Sequence, residues 1–495
     1  GIGVGANQSF EQSVGVYVDG VHYGKSRQVR TGLFDLGQVE VLRGPQGILF
    51  GKNTLAGAIN VTSASATVGD EMSGRVSVSR ESNQGETAEV ILNAPVTDNL
   101  AIRLAYRDRS DDGYMTNGYA TSQNGAQPSF PSTDEQIWRL SATWEPTDST
   151  TVKFKTGASD FVRLGSTAAL NRFQPEANIA ASNGLMYAVM GIMFPSYAGG
   201  VAAGVVDPYR DSISLGGLAL AQSLGRDLDQ TEEKPEGTDT QTTENSLNIK
   251  MELDNGYTLT SVTGHSGYEY EDGIDADFLP VRFIGRSDIS DYSQTSQEFR
   301  LESPTDEAFS WVTGAYWQTQ EQEIDRTVVI DGTLGNPGLM TAIVGCSSFL
   351  NLPRALVGPA FCINGVTSFD QSGRVSNWKQ DTDAWAVFFQ GTYDITDTLS
   401  LTAGVRYTEE EKSVHAQTDL VHDTTGLATP SANPYNAAIN AASFGSYQHV
   451  FDEDRKTDQL MPALNLTWEM SDTSLLYVSY SEGFKSGGFN SVDDQ

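Results

Sequence analysis

Few residues in this sequence have the types and spacing that covalent or metal chemistry requires. No metal-ligand spacing is present among the five histidines, which are His22, His265, His415, His422 and His449. The stretch Gly47–Lys52 imitates a phosphate-binding loop, but it has three residues between its glycines, and Asn53 stands where Ser or Thr is needed. Local signatures assemble neither a Ser/His/Asp set nor a pair of carboxylates. We therefore expect no catalysis, no metal site and no cofactor.

The two cysteines are the other residues with reactive side chains. Cys346 and Cys362 lie sixteen positions apart in one polar stretch that contains Pro and Gly. Two cysteines inside one surface loop favour a disulfide formed in an oxidising compartment. Two unrelated buried thiols are the alternative.

The chain of 495 residues is strongly acidic, since 31 Lys and Arg against 64 Asp and Glu give a formal charge of −33. Nucleic acid is excluded as the main partner, because phosphate backbones are bound by basic surfaces. One stretch departs from this composition. The residues from His22 to Arg30 are locally basic, with Lys25, Arg27 and Arg30.

The elements that hold these residues read as β-strands. From about residue 71 onward apolar residues recur with period two; in 247–253 they alternate with Asn248, Lys250 and Glu252. Charged residues on the second face suit a water-lined lumen, although a sandwich with one solvated face would give the same alternation. No stretch approaches the roughly 18 apolar residues that a membrane-spanning helix needs.

The connections between the strands favour a barrel over a sandwich. We predict thirteen strands, near 72–81, 86–94, 99–109, 135–145, 150–161, 244–254, 257–270, 290–303, 308–325, 382–394, 398–413, 458–469 and 474–486. Short turns follow the even-numbered strands, and long connections follow most of the odd-numbered ones. This alternation is typical of an outer-membrane barrel, with periplasmic turns on one rim and extracellular loops on the other.

Aromatic residues lie beside the short turns. They are Trp144, Tyr257, Trp311, Tyr393 and Trp468. Indole and phenol rings favour the membrane–water interface, so these five predict a girdle at one rim of the barrel. The alternative is that aromatic residues are simply common in strands.

Three blocks in the first 62 residues point to a family. They read VYVDGV (16–21), VEVLRGPQGILFG (39–51) and GAINVT (57–62). In this order and spacing they closely resemble the plug domain of TonB-dependent outer-membrane receptors, and 477–490 (YVSYSEGFKSGGFN) is similar to a barrel segment of that family. The sequence departs from the family pattern at Gly37-Gln38 and at Leu55-Ala56.

The resemblance implies an all-β membrane protein, an antiparallel transmembrane β-barrel with a partial N-terminal α+β plug domain. We assign residues 1–69 to the C-terminal part of the plug and 70–495 to the first part of the barrel, with long extracellular loops at 162–243, 326–381 and 414–457. Because thirteen strands are an odd number and about 22 are expected for a plugged barrel, we expect this sequence to be part of a longer receptor.

The resemblance also assigns roles to residues of the plug. An apical loop facing the ligand vestibule would carry His22, Tyr23, Lys25, Arg27 and Arg30. Its cations could contact an anionic ligand such as a ferric chelate, or could form salt bridges with acidic barrel walls in a solvated loop.

For the long second block, residues 39–51, we expect structural roles rather than contacts with a ligand. We interpret Glu40 and Arg43 as partners in plug-core or plug–wall ion pairs. Tight turns and close backbone approach are expected at Gly44, Pro45, Gly47 and Gly51.

By resemblance, the function is active uptake of a scarce large solute, with the iron–siderophore class favoured, across the outer membrane of a Gram-negative bacterium. The expected partners are a TonB-type energy-transducing complex, a small-molecule or metal-chelate ligand, and the lipid bilayer with lipopolysaccharide. The main alternative is a binding or scaffold protein that keeps the fold without transport. A passive porin is a third hypothesis, and the plug motif argues against it.

Overall fold

The structure is a computed structural model that describes residues 8–29, 33–82, 84–116, 129–165, 237–275, 284–331, 371–421 and 447–491. Strands account for most of these residues. Within the described ranges, no helix is long and apolar enough to cross a membrane. Arg30 and the cysteines at 346 and 362 lie outside the described residues, so the predicted disulfide stays a prediction.

The first four strands form a small sheet, the plug. They are β1 (Val14–Val18), β2 (Val21–Tyr23), β3 (Leu36–Arg43) and β4 (Gly57–Ser63), and a 3-10 turn at Ser26–Val29 follows β2. Their order in the sheet is β2-β1-β4-β3, with β1 and β4 parallel and the other pairs antiparallel. The turn between β1 and β2 uses Asp19 and Gly20, both with positive φ. The strand order places β3 at one edge of the plug sheet and β2 at the other.

A second, much larger sheet forms the wall. Its strands are β5 (Ser73–Arg80), β6 (Glu86–Thr97), β7 (Leu100–Asp111), β10 (Ser132–Thr147), β11 (Thr150–Leu164), β12 (Gly237–Glu252), β13 (Thr258–Asp275), β14 (Ile284–Glu302), β15 (Phe309–Asp331), β16 (Gln371–Thr396), β17 (Leu399–Val421), β18 (His449–Ser471) and β19 (Ser474–Ser481). A separate two-stranded ribbon is formed by β8 (Met115–Thr116) and β9 (Ser129–Phe130).

Within the described ranges the wall contains thirteen strands, each at a predicted position. Successive strands of the wall are neighbours in the sheet, and every neighbouring pair is antiparallel. The predicted fold class is therefore confirmed. The sheet is open, because β5 and β19 are its two edges and do not pair with each other.

The strand ends on the long-loop side differ from the prediction. β15 continues to Asp331, β16 begins at Gln371, β17 continues to Val421 and β18 begins at His449. Strands thus enter all three ranges predicted as loops (162–243, 326–381, 414–457), and those loop boundaries are wrong. Apolar residues in the missed strand ends are sparse or adjacent to one another, as in Val328-Val329-Ile330 and Val450-Phe451, so these ends lack the apolar alternation that predicts a strand. The backbone pairing continues through them.

The two faces of the wall differ as the alternation predicted. Trp144, Tyr393 and Trp468 are each about half exposed beside the short turns, and Tyr257 contacts Trp311 with ring centroids 5.8 Å apart. A second outward row of tryptophans lies further along the strands, at Trp138, Trp317 and Trp385. Six residue steps separate Trp138 from Trp144, which corresponds to about 20 Å along the strand.

The inner face of the wall packs against the plug and completes its core. One cluster combines Val16, Val18, Val21 and Val61 of the plug with Val262 of β13. Another places Phe34, just before β3, against Ile91, Ala105 and Ile137 of the wall. The apolar core of this protein is therefore shared between the two sheets, and the plug depends on the wall to bury its side chains.

Candidate functional site

The interface between the plug and the inner wall contains the densest set of buried charges. One contact is centred on Asp19, in the turn after β1. Its carboxylate accepts hydrogen bonds from the Ser63 backbone N–H (3.0 Å), from the Ser63 hydroxyl (2.6 Å) and from Lys155 Nζ of β11 (2.6 Å). Positive φ at Asp19 turns the chain so that the carboxylate reaches both sheets.

A second contact joins the wall to both edges of the plug. Arg139 of β10 donates to Glu244 of β12 through Nε (2.7 Å) and to the carbonyl oxygen of Phe34 through Nη1 (2.7 Å). The hydroxyl of Tyr23 donates to the other oxygen of Glu244 at 3.2 Å. Burial is the main cause that raises the pKa of Tyr23, so the phenol remains a donor.

The third contact is an alternating group of acids and bases. Lys52, from the loop after the long motif, is paired with Glu11 of the plug and with Glu410 of β17. Lys412 lies 2.9 Å from Glu410, and Asn53 donates to Glu11. Burial acts to lower the pKa of Lys52, but the carboxylates of Glu11 and Glu410 outweigh it and hold that pKa above its usual value.

The predicted apical loop is in large part not exposed. His22, Tyr23 and Lys25 are buried against the wall. Lys25 Nζ donates to the carbonyl oxygens of Gln8 (3.2 Å) and Ser9 (2.8 Å) and to Gln322 of β15 (2.7 Å). Because its donors are used in these contacts, the role of a ligand-facing cation is wrong for Lys25.

His22 and Tyr23 need the same correction. The backbone carbonyl of His22 accepts a hydrogen bond from Gln294 (2.7 Å), and the imidazole packs on Tyr17 with ring centroids 5.1 Å apart. Burial lowers the pKa of His22 to about 4 and the pKa of Lys25 to about 7. The strand β2 turns these side chains toward the wall because it lies at the edge of the plug sheet that faces β13.

Of the apical cations within the described residues, Arg27 stays partly exposed. Its guanidinium lies over the ring of Tyr270, 3.7 Å from the centroid, and the next residue, Gln28, donates to Ser266 at 2.9 Å. A cation on an aromatic face keeps its remaining donors available for a ligand.

The predicted ion pairs of Glu40 and Arg43 are not present. Both lie exposed on the edge strand β3, where Glu40 accepts from Gln38 (3.1 Å) and Asn60 (2.7 Å). Within the described ranges neither residue has an ion-pair partner. The charges that do pair across the interface, such as Lys52 and Asp35, lie in the loops beside β3.

The glycines of the long motif have the geometry that close packing needs. Gly44 and Gly51 have φ of 79° and 83°. A Cβ at Gly51 would lie 2.8 Å from the Arg406 guanidinium, and one at Gly47 would lie 2.7 Å from the Glu482 carbonyl oxygen. Pro45 lies in the same turn and close to Gly483, which follows β19. A Cβ added at Gly483 would lie 3.4 Å from the Cβ of Pro45.

Sequence reasoning missed a group of inner-wall arginines at the upper limit of the plug contacts. One row of register partners runs Arg163, Thr238, Asp272, Asp288 and Arg326 across β11 to β15. The next row contains Arg286 and Arg374. Asp288 is paired with Arg326 (2.8 Å) and also accepts from Gln8 of the plug (2.9 Å). Only pairing register could have shown this grouping, since the residues are distant in sequence.

Two of these arginines have N–H donors without an acceptor. Among the described residues, Arg163 has no ion-pair partner, and the buried Nε atoms of Arg163 and Arg286 have no hydrogen-bond partner. A buried guanidinium donor without an acceptor is costly, so a bound anion would satisfy it. Across β11 to β16 the two rows carry four arginines and two aspartates, and Arg27 of the plug lies beside them over Tyr270.

The outer face at the same height has the opposite charge. The register row Asp160, Gln241, Glu269, Asp291, Glu323 and Lys379 carries four acids and one base. A surface cavity of about 360 Å³ is lined by several of these residues. Its lining also includes Tyr268, Tyr292 and Gln322, which are buried on the inner side of the sheet. In the described residues, no group of three His, Cys, Asp or Glu side chains is arranged to hold a metal ion.

Taken together, a small plug sheet fixed by buried ion pairs inside a large antiparallel wall defines the class of plugged β-barrels. The sequence matches the family described as TonB dependent receptor-like, beta-barrel over residues 192–494, and the TonB-dependent Receptor Plug Domain over residues 2–58. The chain belongs to the TonB-dependent receptor family.

Solved structures share this fold at low sequence identity. The ferric yersiniabactin uptake receptor FyuA from Yersinia pestis is 15% identical with a TM-score of 0.64, covering 99% of this chain and 59% of that one. The ferric-catecholate import receptor Fiu from E. coli K12 is 13% identical with a TM-score of 0.57, covering 97% and 64%. The siderophore receptor PiuA from Acinetobacter baumannii is 14% identical with a TM-score of 0.58, covering 97% and 60%. This chain thus spans about three fifths of the length of these proteins.

Proposed function

We propose that this chain belongs to a transporter that binds an anionic metal chelate of the siderophore class above the plug and imports it across the outer membrane of a Gram-negative bacterium. The observation that carries the proposal is the excess of arginine on the inner wall at the top of the plug. The protein would act as a receptor and transporter, not as an enzyme.

The charge distribution supports an anionic solute. The chain as a whole has a formal charge of −33, yet the two inner-wall rows across β11 to β16 carry four arginines against two aspartates, with Arg27 of the plug beside them. Cations concentrated on a concave surface inside an acidic protein attract anions to that surface selectively. Guanidinium groups form bidentate hydrogen bonds with carboxylates and other planar oxygen groups. Ferric chelates expose oxygen groups of this kind.

The related structures support the same class of solute. They are a ferric yersiniabactin receptor, a ferric-catecholate receptor and a siderophore receptor. At 13–15% identity they show the fold alone, so the arginines carry the support for an anionic solute. Energy would come from a TonB-type complex acting on the plug, and the outward apolar band would contact the bilayer and lipopolysaccharide.

The proposal is tested by titrating the purified chain with ferric chelates of the catecholate, hydroxamate and carboxylate types, using calorimetry. We expect one class to bind, and the double variant Arg163→Gln/Arg286→Gln to bind at least about tenfold more weakly, since each charged hydrogen bond contributes ~1.5–3 kcal/mol. Arg75→Gln, on the exposed outer edge of the wall, is the matched control and should not change affinity.

Two results would contradict the proposal: no binding of any anionic chelate, or equal affinity in the double variant. Uptake of the bound chelate by cells, lost when the TonB partner is deleted, separates transport from the scaffold alternative. A scaffold would show no uptake that depends on that partner.

A further inference from the structure

The segment after the last wall strand does not continue along the sheet but enters the lumen. Residues 482–491, here called the strap, follow β19 and lie between the plug and the inner face of β17. The strap begins with the Glu482 N–H donating to the carbonyl oxygen of Pro462 on β18 at 3.2 Å.

The strap is hydrogen-bonded to the plug along its length. The Asn53 backbone N–H donates to the carbonyl oxygen of Phe484 at 2.7 Å. Lys485 Nζ donates to the Ser13 hydroxyl (3.0 Å), and the Ser491 backbone N–H donates to the Ser9 hydroxyl (3.2 Å). These contacts reach both the first described plug segment and the loop of the long motif.

The other side of the strap is attached to the wall. Lys412 of β17 donates to the carbonyl oxygen of Gly487 (2.8 Å) and to the hydroxyl of Ser486 (3.1 Å). Phe489 packs against the buried cluster of Ile324, Trp378 and Val414. The strap is therefore a bridge, with polar contacts to the plug and both polar and apolar contacts to the wall.

One carboxylate connects all three bodies. Glu11 of the plug accepts from Lys52 and Asn53 of the plug, from Gln320 of β15 (3.2 Å) and from Ser486 of the strap (3.4 Å), and it lies 4.0 Å from Lys412. Burial acts to raise its pKa, but Lys52 and Lys412 hold that pKa well below its usual value. The carboxylate is charged over the physiological pH range, and every contact it makes would have to break before the segment Gln8–Ser13 could leave.

The long motif has a residue that admits the strap. A Cβ added at Gly47 would lie 2.7 Å from the carbonyl oxygen of Glu482, which is backbone and cannot rotate away. The same Cβ would be 3.0 Å from Met461 Sδ. Gly47 thus permits the approach of the strap to the plug, a use that the motif by itself does not indicate.

We infer that the strap fastens the plug to the wall. The segment Gln8–Ser13 and the strap are released from these contacts in one cooperative step, in which the hydrogen bonds and ion pairs of Glu11 break. The inference rests on the proposed function only in that the plug is required to move. It specifies which parts move as one unit, and its test needs no transported solute.

The test is hydrogen–deuterium exchange on the full chain in lipid nanodiscs, comparing peptides from 8–13, 46–54, 482–491 and β17. In Glu11→Gln we expect exchange in the first three regions to rise together by about tenfold or more, because charged hydrogen bonds from several elements are lost at once. Exchange in β17 should stay unchanged. Glu40→Gln, an exposed glutamate of the same plug sheet, is the matched control and should have no effect.

A second variant keeps the inference testable if Glu11→Gln does not fold. Gly47→Ala leaves every charge in place but crowds the Glu482 carbonyl oxygen, so it should raise exchange in 482–491 and in 8–13 by a common factor. The inference is overturned if either variant raises exchange in one of these segments alone, or in neither. Failure to bind any chelate would contradict the proposed function and would leave this result unaffected.

Discussion

Arg139 offers the sharpest test of how the wall holds the plug. Its side chain is 1% exposed and that of its partner Glu244 is 9% exposed, with Nε and Oε1 2.7 Å apart. In Arg139→Met the Glu244 carboxylate keeps the Tyr23 hydroxyl at 3.2 Å but loses its counter-charge. The carbonyl oxygen of Phe34 also loses its donor.

The expected magnitude follows from burial. Removing one partner of a buried ion pair costs ~3–5 kcal/mol, because the remaining charge stays in a medium that solvates it poorly. Replacing both partners by apolar residues of similar volume is often nearly neutral. The free energy of plug unfolding should therefore fall by ~3–5 kcal/mol in Arg139→Met and should recover by at least ~2 kcal/mol in Arg139→Met/Glu244→Met.

The measurement is urea titration of the full chain in nanodiscs, with plug unfolding followed by hydrogen exchange in peptides 14–23 and 33–43. Arg75→Met is the control, since its pair with Glu89 is exposed and should contribute less than about 1 kcal/mol. The reasoning is refuted if Arg139→Met lies within about 1 kcal/mol of the parent protein, or if the double variant is less stable than the single one.

Three further predictions concern the plug and the girdle. Burial lowers the pKa of His22 to about 4, so between that pH and about 6.5 the unfolded plug binds a proton that the folded plug does not. The free energy of plug unfolding should therefore fall as the pH drops through this window, by at most ~1.4 kcal/mol per pH unit. His22→Gln should remove that part of the pH dependence in urea titrations. Gly51→Ala should lower the urea midpoint of the plug more than Gly44→Ala, because both have positive φ but a Cβ at Gly51 meets the Arg406 guanidinium at 2.8 Å whereas one at Gly44 meets no atom within 4 Å; equal midpoints would contradict this. A variant that retains only Trp468 of the seven tryptophans should be quenched more strongly by a spin label at the lipid headgroup than by one deep in the acyl chains, as an interfacial girdle requires.

Much of the wall could be predicted because β-structure has a short period and short turns. Each of the thirteen strands was recognised from alternation that a few neighbouring residues establish, and turns such as Asp254-Asn255-Gly256 mark where the chain reverses. The alternation also predicts that residues such as Asn248 and Lys250 point away from the apolar face. Strand ends beyond the apolar band could not be predicted, because their few apolar residues do not alternate while the backbone pairing continues.

The partners of the inward charges were decided only by the tertiary structure. Lys25 belongs to a basic stretch that looks solvated in sequence, yet it is buried because Gln8, Ser9 and Gln322 converge on it from distant parts of the chain. Glu40 and Arg43 were expected to pair, yet β3 is an edge strand and Lys52, nine residues further on, reaches Glu410 instead.

The sequence by itself determined which face of each strand is apolar, where the plug motifs lie and to which family they are similar, because these depend on residues that are close together in the chain. The tertiary structure decided the rest. Register between strands brought Arg163, Arg286 and Arg326 onto one inner surface, since antiparallel pairing joins residues whose separation in sequence carries no local signal. Side-chain contacts outside the strand pairing placed the strap against Glu11.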